Sequence, residues 1–364
     1  MLIKGLSVEP LEIPFKQAFA HASAVRAETE SVLVTLSSAN GLEGIGEGCP
    51  RHYVTGETID SIGRFIEAHR EQWMAFASVQ DLKHWASLHS SVIDQNPAAW
   101  CAVETACLDL FGKEAGLPIE VLLGCPPLSG LFQYSAVLGA DNLASYEKQL
   151  QRYRAAGFTD FKVKVTGGLR EDVDKLARLA ATQDSKIRVR LDANNLWNEA
   201  ESALSYLKQL PGRFTAVEEP LKVGDYDGCR RLAQMLKTPI IVDESFLRVD
   251  QFPAILHDPP STWIVNIRVS KMGGVLRSLA VAKRAKEIGI PIIIGAQVGE
   301  TSVLTRAALA VANTYRDILV AQEGAFGTLL LERDICNPSL MFGAGGQLDA
   351  RAVNRPGLGL TVLR

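Results

Sequence analysis

The sequence predicts a TIM-type (modified β/α) barrel joined to an α+β capping domain. Three observations carry this. From about residue 130, short apolar runs alternate with amphipathic stretches at a spacing of roughly 25–30 residues, the rhythm of repeated βα units. Three successive runs end in an acid, at Asp192, Glu218 and Asp243. The first third lacks that rhythm and is strand-like, then glycine-rich, then helical.

Length and composition agree. The chain has 364 residues, enough for a barrel plus a smaller domain at about 150 residues per domain. Its 47% hydrophobic content supports a large core, and a net charge of −3 implies no basic surface for nucleic acid. Six cysteines lie scattered, with no CxxC pair. That fits reduced thiols of a cytoplasmic protein and neither a disulfide scaffold nor a zinc site. Met1-Leu2-Ile3-Lys4 leads straight into a strand-like run. No signal peptide and no apolar run of membrane-spanning length is read.

Taken in order, Leu2 to Ile13 and Ser31 to Leu36 are strand-like, and Gly41 to Gly48 is glycine-rich. Phe15 to Glu30, between the first two, reads as a polar segment holding His21 and Arg26. Pro97 to Gly116 reads as one helix, with Ala99, Ala102, Val103, Ala106, Leu110 and Phe111 on one stripe. Gly116-Leu117-Pro118 ends it. Residues 1–128 are expected to form the capping domain, completed by the tail from about 346 to 364, and residues 129–345 the barrel.

The expected barrel strands are Gln133–Leu138, Asp160–Val165, Ile187–Leu191, Thr215–Glu218, Ile240–Val242, Trp263–Ile267, Pro291–Ile294 and Ile318–Ala321. Runs such as Ile292-Ile293-Ile294 suit a parallel sheet covered on both sides. A helix is expected over Glu199–Leu210, with Asn198 and Glu201 at capping-box spacing. A doubly wound sheet is the alternative, but no Gly-x-Gly-x-x-Gly follows a strand to support a dinucleotide site.

The chemistry is read at the strand ends. Side chains alternate across a strand, so Lys162 and Lys164 share a face, opposite Phe161, Val163 and Val165. Each ammonium lowers the pKa of the other and burial adds to this, bringing a lysine from about 10.4 towards roughly 7–8, where it serves as a base. The strand ends of a barrel converge on one mouth. There Asp192, Glu218 and Asp243 would repel unless a hard cation joined them. Mg²⁺ suits such oxygen ligands, and Mn²⁺ accepts the same set. Lys271 follows the next strand and sits at the same mouth, across from Lys162 and Lys164. A carboxylate held on the cation has its α-proton acidified, and a lysine on either face removes or returns it through an enediolate.

These residues resemble the enolase superfamily, muconate-lactonizing-enzyme (muconate cycloisomerase) subgroup. The resemblance covers nearly the whole chain. It includes Ala102-Val103-Glu104-Thr105-Ala106-Cys107-Leu108-Asp109, Leu122-Leu123-Gly124, and Lys162-Val163-Lys164 as the family's Lys-x-Lys strand. It implies that Lys164 is the acid/base supported by Lys162, that Lys271 opposes it, and that Asp192, Glu218 and Asp243 hold Mg²⁺. It also implies a cap closing over the mouth, a small carboxylate substrate and a homo-oligomer, an octamer or smaller. Expected substrate contacts are Arg26, His52 and Tyr53 from the cap and Gln297, Glu300 and Glu323 from the barrel.

The seventh strand leads into Gly295-Ala296-Gln297-Val298-Gly299-Glu300 without a histidine, against the mandelate type of racemase. Dipeptide epimerases carry Asp-x-Asp after the eighth strand for the substrate ammonium. Gly324, Ala325 and Phe326 stand there, against a dipeptide with a free amino group. Glu323 lies one residue before the position where muconate cycloisomerases have a Glu, and Glu219 is expected to point away from the metal. The expected function is that of a Mg²⁺-dependent isomerase, a cycloisomerase first and a racemase or epimerase second. The alternatives are a lyase of the succinylbenzoate-synthase or acid-sugar-dehydratase kind and a non-catalytic binding protein on the same barrel.

Overall fold

The computed structural model describes residues 2–21, 24–139, 142–181 and 185–363. Strands β1 (Ile3–Leu11), β4 (Ser31–Ser38) and β5 (Glu43–Gly48) form an antiparallel sheet in the order β1-β4-β5. The helix Pro97–Ala115 lies against β5 so closely that a Cβ on Gly46 would come within 2.0 Å of the Ala102 carbonyl oxygen. That contact explains the glycine-rich run. The helix is buried around its whole circumference from Pro97 to Gly112, and not on the one stripe expected. It touches β4 and β5 as well as the short helical turn Val269–Met272 of the barrel.

Where a polar segment was expected, Pro14–His21 (β2) and Ala24–Glu28 (β3) pair as an antiparallel hairpin. Four alanines in these strands dilute the β-branched signal that marks a strand in sequence. The His21 side chain lies outside what the structure describes.

Eight parallel strands follow: β6 (Ala136–Leu138), β7 (Asp160–Lys164), β8 (Arg188–Asp192), β9 (Ala216–Glu218), β10 (Ile240–Val242), β11 (Trp263–Ile267), β12 (Ile292–Ile294) and β13 (Leu319–Gln322). Each pairs with its neighbours in sequence. The Ser135 N–H donates to the Gln322 carbonyl at 2.8 Å and joins the first strand to the last. Ala216, Ile241, Ile264, Ile293 and Ala321 form a small apolar cluster of their own. Two residues further along each strand, on the same face by alternation, come Glu218, Asp243, Asn266, Gly295 and Glu323. The packed layer thus carries a polar layer directly at the mouth.

Two expectations of detail are corrected. The run Gln133–Leu138 is split: Leu131–Gln133 pairs with Gln347–Asp349 near the C-terminus, and only Ala136–Leu138 joins the barrel. The helix over Glu199–Leu210 is Ala200–Leu207, and its N-cap is Glu199, which makes no side-chain cap bond. The C-terminal tail returns to the cap, where Leu358 N donates to Asp109 at 2.7 Å and Gly357 N to the Leu117 carbonyl at 2.9 Å. Among the described residues, no helix is long and apolar enough to cross a membrane.

Cap and barrel are joined by buried acids at helix N-termini, where orphan N–H groups need acceptors. Glu47 accepts from Thr301 Oγ1 at 2.7 Å, Thr301 N at 3.1 Å and Leu304 N at 3.3 Å, at the start of the helix Ser302–Thr314. Glu104 accepts from Leu276 N at 3.0 Å at the start of Val275–Glu287. Burial pushes the Glu47 carboxyl up from 4.5 to about 7, against the bonds from Thr301. A carboxyl raised in the folded state favours folding at low pH, and that benefit is lost as pH rises towards about 7. At about 1.4 kcal/mol per tenfold the gap is worth about 3 kcal/mol. Glu47→Gln removes the titrating group. Its stability relative to the parent, measured by urea unfolding, should therefore rise by about 3 kcal/mol between roughly pH 4.5 and 8. A difference that stays flat across this range would show that burial does not raise the Glu47 carboxyl.

Candidate active site

Alternation along β7 turns Asp160, Lys162 and Lys164 to the barrel interior and leaves Phe161 and Val163 buried on the other face. Lys162 Nζ donates to Glu218 Oε1 and Glu323 Oε2, both at 2.9 Å, and lies 3.3 Å from Asp192 Oδ2. Burial pulls its pKa down, but these three carboxylates outweigh burial and hold it above the ordinary lysine range. The expectation that both lysines are depressed is corrected for Lys162. Lys164 does follow it: burial lowers its pKa, with the Lys162 ammonium adding and Asp192 opposing. Its Nζ donates to Asn194 Oδ1 at 3.2 Å.

Register fixes the acids. Asp192 pairs with Lys164 on one side and Glu218 on the other. Burial raises the Asp192 carboxyl, but Lys162 and Lys164 outweigh it and hold it below the ordinary range. Glu218 is pushed up to about 7 by burial, which Lys162 offsets only in part. Asp243 is fully buried just after β10 and accepts from Arg268 Nη2 and, at 2.8 Å, from Lys271 Nζ. Lys271 also donates to the Asp243 and Asn266 carbonyls at 2.7 and 2.9 Å. Burial and then the Arg268 charge bring Lys271 down to about 7.

A cleft opens here, lined by Lys162, Lys164, Asp192, Arg268, Gln297 and Glu323 among others. Tyr53 reaches it from the cap. Arg26 lies 5.5 Å over the Tyr53 ring and bonds Glu30 at 2.9 Å. His52 is exposed on the single turn His52–Thr55 and does not line the cleft, and neither does Lys271. Glu300 accepts from Gln297 N at 2.7 Å, and burial pushes its carboxyl up to about 8. Glu219 does point away from the cleft: it accepts from Asp243 N at 2.6 Å and from Ser245 N at 2.8 Å, bracing the loop that carries Asp243.

Glu323 faces inward. Besides Lys162, it accepts from Arg190 Nη2 at 3.1 Å, and Arg190 Nη1 donates to Asp160 at 2.7 Å. Arg188, 56% exposed, pairs with Asp160 at 2.9 Å. Charges of alternating sign thus run from the site to the opposite end of the barrel. Sequence reasoning missed Arg190, Asn194, Glu244, Asn266 and Arg268. Arg190 lies two residues before Asp192, and Arg268 two after Asn266, so extending the period-two count would have turned both inward.

Among the described residues, no three of His, Cys, Asp and Glu stand together as a ready ligand cluster. Lys162 joins Asp192 to Glu218, while Arg268 bonds Asp243 and lies 3.9 Å from Glu218. In chemistry the acids fit a hard divalent cation. All donors are carboxylate oxygen, they end consecutive strands, and the negative charge they concentrate draws in three side-chain cations, Lys162, Arg268 and Lys271.

The family profile described as "Mandelate racemase / muconate lactonizing enzyme, N-terminal domain" matches residues 6–124, and "Enolase C-terminal domain-like" matches residues 145–364. The chain belongs to the mandelate racemase / muconate lactonizing enzyme family of the enolase superfamily. This agrees with the resemblance read from the Lys-x-Lys strand and the three acids. Within the family, the chain is 28% identical to an L-Lys-D/L-Arg epimerase of Desulforapulum autotrophicum, over 99% of each chain. It is 23% identical to an N-succinyl-L-Arg/Lys racemase of Bacillus cereus, over 93% of this chain and 90% of that one. It is also similar to the structure of a dipeptide epimerase from Enterococcus faecalis complexed with Mg and L-Leu-L-Tyr. There the TM-score is 0.88 and the identity 25%, over 99% of this chain and 100% of that one.

Proposed function

We propose that this enzyme racemises or epimerises an N-acylated α-amino acid by moving its α-proton between Lys164 and Lys271. The observation that carries this is the placement of the two lysines. Lys164 ends β7 and Lys271 follows β11; four steps apart among eight parallel strands, they stand on opposite sides of the barrel. Both have a lowered pKa, as a base working near neutrality requires. Lys164, which lines the cleft, takes the α-proton on one face; Lys271, held behind the cleft wall on Asp243, would supply one on the other once Asp243 turns to a cation. Lys162 stays an ammonium and holds Asp192, Glu218 and Glu323 in place. Asp192, Glu218 and Asp243 would hold Mg²⁺, which when bound polarises the substrate carboxylate and acidifies its α-proton. The names of the relatives support the racemase or epimerase branch over the cycloisomerase placed first from sequence.

The end of β13 favours an acylated nitrogen. Gly324 and Phe326 carry no charge, and Glu323 is engaged by Lys162 and Arg190. A free ammonium has no anchor there, so an N-acyl substrate, as named for the Bacillus cereus relative, fits better than a free-amino dipeptide. The test is incubation with N-acetyl- and N-succinyl-amino acids in D₂O, followed by mass spectrometry and chiral chromatography. Deuterium should enter Cα with loss of optical purity, EDTA should abolish both, and MgCl₂ should restore them. Absence of exchange across the panel with Mg²⁺ present would overturn the proposal.

A further inference from the structure

We infer that Gln297 reads the acyl carbonyl oxygen of the substrate through its Nε2, an assignment that rests on the N-acyl reading of this cleft. The loop from Gly295 to Glu300 is tied by hydrogen bonds at several backbone groups. Gly295 N donates to the Ile267 carbonyl at 2.9 Å, Gln297 N to Glu300 Oε1 at 2.7 Å, and Glu300 N back to the Gln297 carbonyl at 3.2 Å. The cap holds the same loop. Arg51, 1% exposed, donates to the Val298 carbonyl, and Phe15 packs where a side chain on Gly299 would go, 2.9 Å from its Cβ position. Gly299 has φ +92°, so the loop keeps a glycine there for both reasons.

The Gln297 side chain is 3% exposed and lines the cleft. Its Oε1 accepts from Arg268 Nη1 at 2.9 Å. A guanidinium only donates, so this bond fixes which way the amide faces and leaves Nε2 as the free end. Nε2 has no hydrogen-bond partner among the described residues. A buried amide N–H without a partner is costly, and one turned into a ligand cleft is available to a substrate acceptor. The adjacent guanidinium disfavours a cation, while Ala296, Val298 and Phe326, which line the same cleft, suit a neutral group. A carbonyl oxygen meets both conditions. A site built to hydrogen-bond such an oxygen rejects analogues that lack it.

The test uses the full-length enzyme with MgCl₂ and compares an N-acetyl-amino acid with the N-methyl-amino acid of the same side chain. Gln297→Glu keeps an acceptor for Arg268 but removes the donor, and Gln297→Met removes both. Calorimetric titration should show the parent binding the N-acetyl compound at least tenfold more tightly than the N-methyl compound. Both variants should lose at least tenfold for the N-acetyl compound and little for the N-methyl one, with KM moving more than kcat. Equal affinity of the parent for the two compounds, or unchanged affinity in both variants, would overturn the assignment. Tight, Gln297-dependent binding without exchange at Cα would keep the assignment and overturn the racemase reading alone.

Discussion

Lys164→Met abolishes α-hydrogen exchange from one enantiomer of the substrate, and Lys271→Met abolishes it from the other. Removing a positioned general base costs about 10²–10⁴ in rate, so each loss should be about a thousandfold. The enantiomer-specific pattern follows from the placement of the two lysines on opposite sides of the barrel. The controls differ. Lys164 bonds the exposed-side loop at Asn194, whereas Lys271 is fully buried and holds Asp243. Lys271→Met therefore leaves Asp243 leaning on Arg268 alone, and a lower melting temperature is expected in addition to lost exchange. Isotope exchange followed from each pure enantiomer decides the matter. If neither variant slows exchange by more than about tenfold, about 1.4 kcal/mol of barrier, the lysines are not the acid/base pair.

Arg306→Met costs 3–5 kcal/mol of folding stability, by the order expected when a buried ion pair loses one partner. Arg306 and Glu120 are both fully buried and meet in two parallel bonds of 2.5 and 2.9 Å. The pair ties the turn Ile119–Leu122, just past the cap helix, to the barrel helix Ser302–Thr314. Truncating the arginine leaves a carboxylate out of water with no counter-charge. Replacing both partners, as Glu120→Leu with Arg306→Met, should recover most of the loss, because an apolar pair has no charge to desolvate. Urea unfolding of the two single variants and the double variant measures this. Additive losses in the double variant would mean that the bonds act independently of their burial.

The barrel and the side chains that gather at its mouth were legible because both depend on short-range patterns. A period of two turned Lys162 and Lys164 the same way, and the acids stood out as polar residues closing apolar runs. The partners of those residues were not legible. Glu323 lies 161 positions from Lys162 and finds it only because the last strand closes beside the first. The pKa of Lys162 runs against expectation because Asp192, Glu218 and Glu323, all supplied by other strands, outweigh its burial. The β2–β3 hairpin was missed for a local reason, its weak strand composition, and the all-round burial of Pro97–Ala115 because periodicity cannot show a second covering layer.

Gly324 restricts where this site can travel under selection. Its φ is +99°, and a Cβ there would fall 2.5 Å from the Ala296 Cβ. An aspartate at 324, the simplest way to attract an ammonium, would meet both a left-handed backbone penalty of about 1 kcal/mol and a collision with the neighbouring strand end. Relieving the collision requires a second change at Ala296, and the neighbouring acid, Glu323, is already engaged by Lys162 and Arg190. The route to an ammonium-reading descendant therefore crosses a valley at least two mutations wide. One-step libraries under selection for new substrates should gather their successful variants at Phe326, Val137 and Tyr53, and leave Gly324 untouched.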